Sequence, residues 1–104
     1  MHLIISCSLN KKSRSRIMAK YACTQYRNDV KFIDLSTLDI PFCDGNKCYD
    51  NQTVKDLKEL VLSAKSIIIA SPIYNYDLNA AAKNLIELTG RSWTEKIVGF
   101  ICAA

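Results

Sequence analysis

Histidine, tryptophan, proline and glycine are scarce in this 104-residue chain: one, one, two and three of each. So little glycine and proline excludes collagen-like and low-complexity architectures. It also removes the glycine-dependent phosphate loops, since neither Gly-x-Gly-x-x-Gly nor Gly-x4-Gly-Lys-[Ser/Thr] occurs. The lone His2 cannot supply a His-Glu-x-x-His metal site or a histidine-based triad. Cys7 and Arg14 are one residue too far apart for the Cys-x5-Arg loop of cysteine phosphatases. No apolar run approaches the roughly 18 residues that a membrane span needs. The opening Met1-His2-Leu3-Ile4-Ile5 has neither the basic region nor the cleavage site of a signal peptide. Five cysteines, an odd number without a secretion signal, argue against a disulfide framework. The expected setting is cytoplasmic, with no membrane partner.

What is present fits one compact domain: 49% hydrophobic and 23% charged residues. Fourteen Lys and Arg against ten Asp and Glu give a formal +4. The basic residues are mostly scattered among acids and no nucleic-acid motif occurs, so no nucleic-acid partner is expected. Cys7 and Cys102 sit in apolar runs and read as reduced core residues. Cys43 and Cys48 lack the further ligands of a structural zinc site and read as a surface loop carrying two thiols.

Apolar segments and helical patterns alternate. Leu3–Cys7 reads as a strand, followed by a polar loop at Ser8–Ser13. Ile17, Met18, Tyr21 and Ala22 recur at helical spacing between Arg14 and about Arg27. Val30–Leu35 is β-rich, and Ser36–Asn51 carries turn signals. Val54, Leu57, Leu60, Val61 and Ala64 form the apolar face of a helix over Gln52–Ala64. Ser66–Ala70 is a buried strand, and Ser71–Leu78 a second loop. Asn79 is placed to cap a helix over Ala80–Thr89 that stops before Gly90. Lys96–Cys102 is the last strand. The βαβαβαβ order predicts a doubly wound parallel sheet with right-handed crossovers and helices on both faces. If its strand order is 2-1-3-4, Ser8–Ser13 and Ser71–Leu78 border one crevice. The last strand looks buried on both faces yet would be an uncovered edge, so the domain reads as truncated at its C-terminus.

Two segments carry chemistry. Ser8-Leu9-Asn10-Lys11-Lys12-Ser13-Arg14-Ser15-Arg16 places hydroxyls, an amide and four cations around a helix start. Each exposed cation there opposes the helix dipole by roughly 0.3–1 kcal/mol, which suits an anion bound at that end. The same residues describe a solvated polar loop equally well. Ser71-Pro72-Ile73-Tyr74-Asn75-Tyr76-Asp77 offers two tyrosines at the other loop, for a flat heteroaromatic ligand or for packing under the loop.

These residues give the chain a family likeness. It resembles the NAD(P)H-dependent FMN reductases of the flavodoxin-like superfamily, which includes quinone, azo-dye and chromate reductases. Ser8-Leu9-Asn10-Lys11-Lys12-Ser13-Arg14-Ser15 is similar to that family's Gly-Ser-Leu-Arg-x-x-Ser-x-Asn. Cys7 stands for the glycine, Asn10 for the arginine and Ser15 for the asparagine. Ser71-Pro72-Ile73-Tyr74-Asn75-Tyr76 with Lys83-Asn84 is similar to Thr-Pro-Glu-Tyr-Asn-x-Ser-x-x-x-x-x-Lys-Asn. Pro41-Phe42-Cys43-Asp44-Gly45 looks like the family's loop after strand two. The likeness runs through the whole chain in order.

The resemblance implies a flavodoxin-like fold with FMN as cofactor and NAD(P)H as co-substrate. Carried over by position, Ser8, Asn10, Ser13, Arg14 and Ser15 would hold the FMN phosphate, with Lys11, Lys12 or Arg14 replacing the missing arginine's charge. Pro72, Ile73, Tyr74, Asn75 and Tyr76 would border the ribityl chain and isoalloxazine. The implied reaction passes hydride from NAD(P)H through FMN to a small acceptor such as a quinone or free flavin, without a catalytic acid or base. A homodimer is implied, and a glycine-rich flavin loop beyond Ala104. The alternatives are a flavodoxin-like electron carrier and a non-catalytic fragment of the fold.

Overall fold

The computed structural model describes all 104 residues. Strands β1 (His2–Ser6), β2 (Val30–Asp34), β3 (Ser66–Tyr74) and β5 (Ile97–Ala103) form a parallel sheet in the order β2-β1-β3-β5. A two-residue strand, β4 (Asp77–Leu78), pairs antiparallel with the end of β3. Helices α1 (Arg14–Thr24), α2 (Gln52–Ser63) and α3 (Ala80–Thr89) connect them. The register sets His2 beside both Val30 and Ser66, so β1 lies inside the sheet between β2 and β3.

The core has two layers, as a sheet covered on both faces requires. On one face Leu3, Ile5, Cys7, Ile67 and Ile69 pack against Leu57, Val61, Ala64, Ala82 and Leu85 of the α2 and α3 segments. On the other, Ile4 and Ala70 pack against Ala19 of α1, with Ala22, Ile68 and Ile101 around them. No helix is long and apolar enough to cross a membrane.

Caps follow the local sequence. Asn79 accepts a hydrogen bond from the Ala82 amide at the start of α3, and Gly90 takes φ +49° at its end. Asn51 caps α2 through the Val54 amide.

Several elements differ from the sequence expectation. The first strand begins at His2 and ends at Ser6. Helix α1 stops at Thr24, where Gln25 and Tyr26 switch to i→i+3 bonds with Ala22 and Cys23. Its inward face is Ser15, Arg16 and Ala19, while Ile17, Met18 and Tyr21 face outward. Small residues let the helix approach the sheet closely, and hydrophobic periodicity does not register that. Strand β3 continues through Pro72 to Tyr74, so most of the expected second loop is a tight hairpin. The long segment before α2 contains 3-10 turns at Leu35–Thr37 and Lys47–Asp50. Strand β5 is only half-buried, with Ile97 and Phe100 exposed, and Cys102 is exposed rather than in the core.

Candidate functional site

The site lies where β1 and β3 end side by side. Past Ser6 the ladder gains one more bond, from the Cys7 amide to the Ala70 carbonyl (2.8 Å), before the chains part. The first loop then folds on its own side chains. The Asn10 amide donates to Ser8 Oγ (3.2 Å) and the Lys12 amide to Asn10 Oδ1 (3.0 Å). These are the short-range turns that Ser and Asn favour. Ser13 caps α1 by accepting from the Arg16 amide (3.1 Å), and its hydroxyl lies 3.0 Å from that of Ser15. Ser8, Ser13 and Ser15 are all buried. The Arg14 and Ser15 amides, at the helix start, have no intrahelical acceptor and carry the positive end of the dipole.

Arg16 fixes the back of this loop. Its guanidinium donates to the Ser8 carbonyl (2.8 Å) and the Asn10 carbonyl (2.6 Å), and its Nε to Asp34 Oδ2 (2.9 Å). Burial by itself pushes the Asp34 carboxyl up. Hydrogen bonds from Ser36 and Arg16, with the adjacent guanidinium charge, outweigh that and hold it below the usual carboxylate range. Arg16 is therefore neutralised and spent on the loop. The sequence counted it among the cations of the anion site; it is instead a strut.

Asn79 ties the two loops together. Its Nδ2 donates to the Cys7 carbonyl (2.7 Å), its amide donates to Ser71 Oγ (3.1 Å), and its Oδ1 accepts from the Ala82 amide (3.1 Å). One buried side chain thus caps α3 and spans the gap between β1 and β3. Cys7 Sγ points into the core beneath, where burial pushes its thiol up to about 12.

A cavity of about 210 Å³ opens above this frame. It is lined by Ser8, Asn10, Lys12, Ser13, Arg14 and Ser15 from the first loop, Pro72 and Tyr74 from β3, and Ala103 and Ala104 after β5. Seven of the ten residues singled out from sequence thus share one cavity. Ile73, Asn75 and Tyr76 do not line it. Ile73 pairs with Leu78, and Asn75 and Tyr76 form the hairpin tip with φ of +52° and +68°. Positive φ at both central residues is the type I′ geometry that matches strand twist. Tyr76 at that tip is wholly exposed. Lys12 and Arg14 are the cations at the cavity wall, and Lys11 is not among the lining residues.

Sequence reasoning missed the roles of Arg16 with Asp34 and the bridging half of Asn79. The signal for Asn79 was its capping position; nothing in the sequence pairs it with Cys7, 72 residues away. Asn84 likewise works at a distance. It accepts from the Cys43 amide (2.8 Å) and donates to the Pro41 carbonyl (3.0 Å), clamping the loop after β2 onto α3.

The strand order, the two-faced helical cover and an anion-suited helix start at the carboxyl edge define a flavodoxin-like α/β domain. Solved structures agree: a flavoenzyme NAD(P)H:(acceptor) oxidoreductase from Paracoccus denitrificans superposes with a TM-score of 0.81 at 22% identity, over 97% of this chain and 59% of that one. The chain belongs to the NADPH-dependent FMN reductase family, whose profile matches residues 2–104. It is 28% identical over 104 residues to an NADPH azoreductase of Bacillus sp. (strain OY1-2), covering 98% of this chain and 57% of the relative. It is 32% identical over 88 residues to an NAD(P)H-dependent FAD/FMN reductase of Geobacillus thermodenitrificans (strain NG80-2), covering 82% and 46%. The chain therefore spans about half the length of these curated relatives.

Proposed function

We propose that this chain is the FMN-binding portion of an NAD(P)H-dependent oxidoreductase that reduces a small acceptor such as a quinone or free flavin. The observation that carries the proposal is the single cavity shared by the hydroxyl-rich helix start and the Pro72–Tyr74 strand end. That donor set fits a phosphate monoester: unpaired first-turn amides, three serine hydroxyls, and the cations of Lys12 and Arg14. At about 210 Å³ the cavity is smaller than the roughly 300–1,000 Å³ of sites that enclose a drug-sized ligand. It suits the phosphate and polar chain of FMN, with the ring system left at the rim.

Ser8, Asn10, Ser13, Arg14 and Ser15 would hold the phosphate. Pro72 and Tyr74 would border the ribityl chain, and Ile73, Asn75 and Tyr76 the ring edge. The chemistry such a flavin supplies is hydride acceptance from NAD(P)H and its onward transfer. The chain's own contribution is position. Arg16 holds the Ser8 and Asn10 carbonyls away from the anion, Asn79 sets the spacing of the two loops, and Tyr74 offers an aromatic face. No side chain is assigned a proton transfer.

We further propose a homodimer in the cytoplasm. Its support is the outward stripe of Ile17 and Tyr21 on α1, 69% and 68% exposed, together with five unpaired cysteines. The test is titration of the apoprotein with FMN and riboflavin by fluorescence quenching, followed by anaerobic NAD(P)H. Tight FMN binding, weak riboflavin binding and rapid bleaching support the reductase. Bound FMN that NAD(P)H does not bleach points to an electron carrier, and no quenching by FMN refutes the site.

A further inference from the structure

Away from the cavity, two sulfurs meet. Cys43 Sγ and Cys48 Sγ are 3.9 Å apart, and no other pair of the five cysteines is in contact. A disulfide bond is about 2.05 Å long, so closure needs a further approach of just under 2 Å. The intervening turn carries Gly45 at φ +73°, with nothing within 4 Å of where a Cβ would be. The backbone on either side is held. Asn84 fixes the Cys43 amide, and Asp44 Oδ1 accepts from the Asn46 amide (2.9 Å) and the Cys48 amide (3.1 Å).

The two thiols are unlike. Cys43 is partly exposed, with Tyr49 Oη at 3.5 Å. The Tyr49 hydroxyl and the Gly45 amide stabilise its thiolate and lower its thiol from the usual value, against the opposing charge of Glu87. The same contact pushes the Tyr49 phenol up to about 12, so it stays a donor. Lys58 Nζ stands 4.8 Å over the Tyr49 ring. Cys48 is buried against Val54 and Leu88, and burial raises its thiol. A nucleophilic sulfur at the surface beside a protonated one is the arrangement of an attacking and a resolving thiol.

We propose that Cys43 and Cys48 form an oxidisable dithiol in which Cys43 attacks a hydroperoxide and Cys48 resolves the product into an intramolecular disulfide. In the first step the Cys43 sulfur bonds to the distal peroxide oxygen as the O–O bond breaks. Sulfur is oxidised by two electrons to the sulfenic acid, and the alcohol (water, from hydrogen peroxide) leaves with the thiol proton. In the second step the Cys48 sulfur attacks Cys43 Sγ. The S–S bond forms, the S–O bond breaks, and water leaves with the Cys48 proton. The sum is two thiols and one hydroperoxide giving one disulfide, one alcohol and one water. This site stands independently of flavin binding.

The test exposes the reduced protein to one equivalent of hydrogen peroxide, with intact mass and tryptic mapping as readouts. Trypsin cleaves after Lys47, between the two cysteines, so a Cys43–Cys48 bond appears as two linked peptides that reductant separates. The expected result is loss of two hydrogen atoms in mass and that linkage. In Cys48→Ala a 1,3-dione traps the sulfenic acid on Cys43, and in Cys43→Ser Cys48 stays unmodified. Cys43 reacts several-fold faster than Cys23 or Cys102, because the Tyr49 hydroxyl and the Gly45 amide stabilise its thiolate. Tyr49→Phe removes most of that advantage. Oxidation falling on Cys102 or Cys23 as fast as on Cys43, or a dione adduct missing from Cys48→Ala, overturns the proposal.

Discussion

Arg16 and Asp34 form a nearly buried ion pair, Nε to Oδ2 at 2.9 Å, with side chains 10% and 16% exposed. The pair joins the first turn of α1 to the end of β2. Because the guanidinium also donates to the Ser8 and Asn10 carbonyls, it shapes the loop whose other face lines the cavity. Charge has here been used for architecture, and Lys12 and Arg14 remain at the cavity wall.

Arg16→Ala is expected to cost about 3 kcal/mol, the low end for breaking a buried pair, and to weaken FMN binding through the disordered loop. Arg16→Lys recovers little of either, because an ammonium cannot span Asp34 and two carbonyls at once. Urea unfolding and FMN titration of both variants give the comparison. A wild-type midpoint in Arg16→Ala would remove the strut role.

Stability falls at both ends of the pH range, for different groups. The Asp34 carboxyl lies below its ordinary value of 3.8 in the folded state. The unfolded chain therefore binds its proton first, and the contribution is complete above that value and lost as pH falls through the folded one. Cys7 is the reverse, raised from 9.0 to about 12. Its contribution is complete below 9 and lost as pH climbs toward 12. Unfolding free energy against pH should lose its acid limb in part in Asp34→Asn, and its alkaline limb in part in Cys7→Ala.

Asn79→Ala removes a cap and leaves the Cys7 carbonyl without its donor, for a total of about 2–3 kcal/mol. Asn79→Ser keeps a capping hydroxyl without the reach to Cys7, and should fall midway. Equal stability of the two variants would show that the bridge contributes nothing beyond the cap.

Ser13→Asp separates phosphate binding from folding. Aspartate caps helices as well as serine, so the unfolding midpoint should hold. A negative charge in the cavity should weaken FMN at least about tenfold, since only about 1.4 kcal/mol of repulsion is required. Riboflavin, without the phosphate, should bind the variant and the parent alike. A matching loss for both flavins would point to a damaged loop instead.

Tyr76 occupies a left-handed position, φ +68°, where a side chain costs roughly 1–2 kcal/mol and glycine costs little. Tyr76→Gly is expected to raise stability by about 1 kcal/mol. If this tyrosine borders the flavin ring, the same variant binds FMN more weakly while unfolding later. Thermal melting and titration on one preparation reveal whether the two effects part.

Much of the frame was legible because it is local. The apolar runs at Leu3–Cys7 and Ser66–Ala70 need burial on two faces, and Asn79 and Gly90 mark helix ends by short-range hydrogen bonding or positive φ. The resemblance to flavin reductases rested on two loops that the strand order does bring to one cavity. The inward face of α1 was misread because Ser15 and Arg16 look polar on any hydropathy scale. The turn at Asn75-Tyr76 was hidden because its second residue carries the side chain of a strand former where glycine is the usual choice.

The succession of strands and helices along the chain, the family pattern and the helix caps were set by the sequence itself, through neighbours at most a few positions apart. Which cations line the cavity was decided only in three dimensions. Arg14 and Arg16 are chemically identical and two residues apart, yet one lines the cavity while the other is turned inward to Asp34, 18 residues away. The difference is one of direction. Successive helical positions point about 100° apart, and only the packed sheet supplies the carboxylate that makes a buried guanidinium stable.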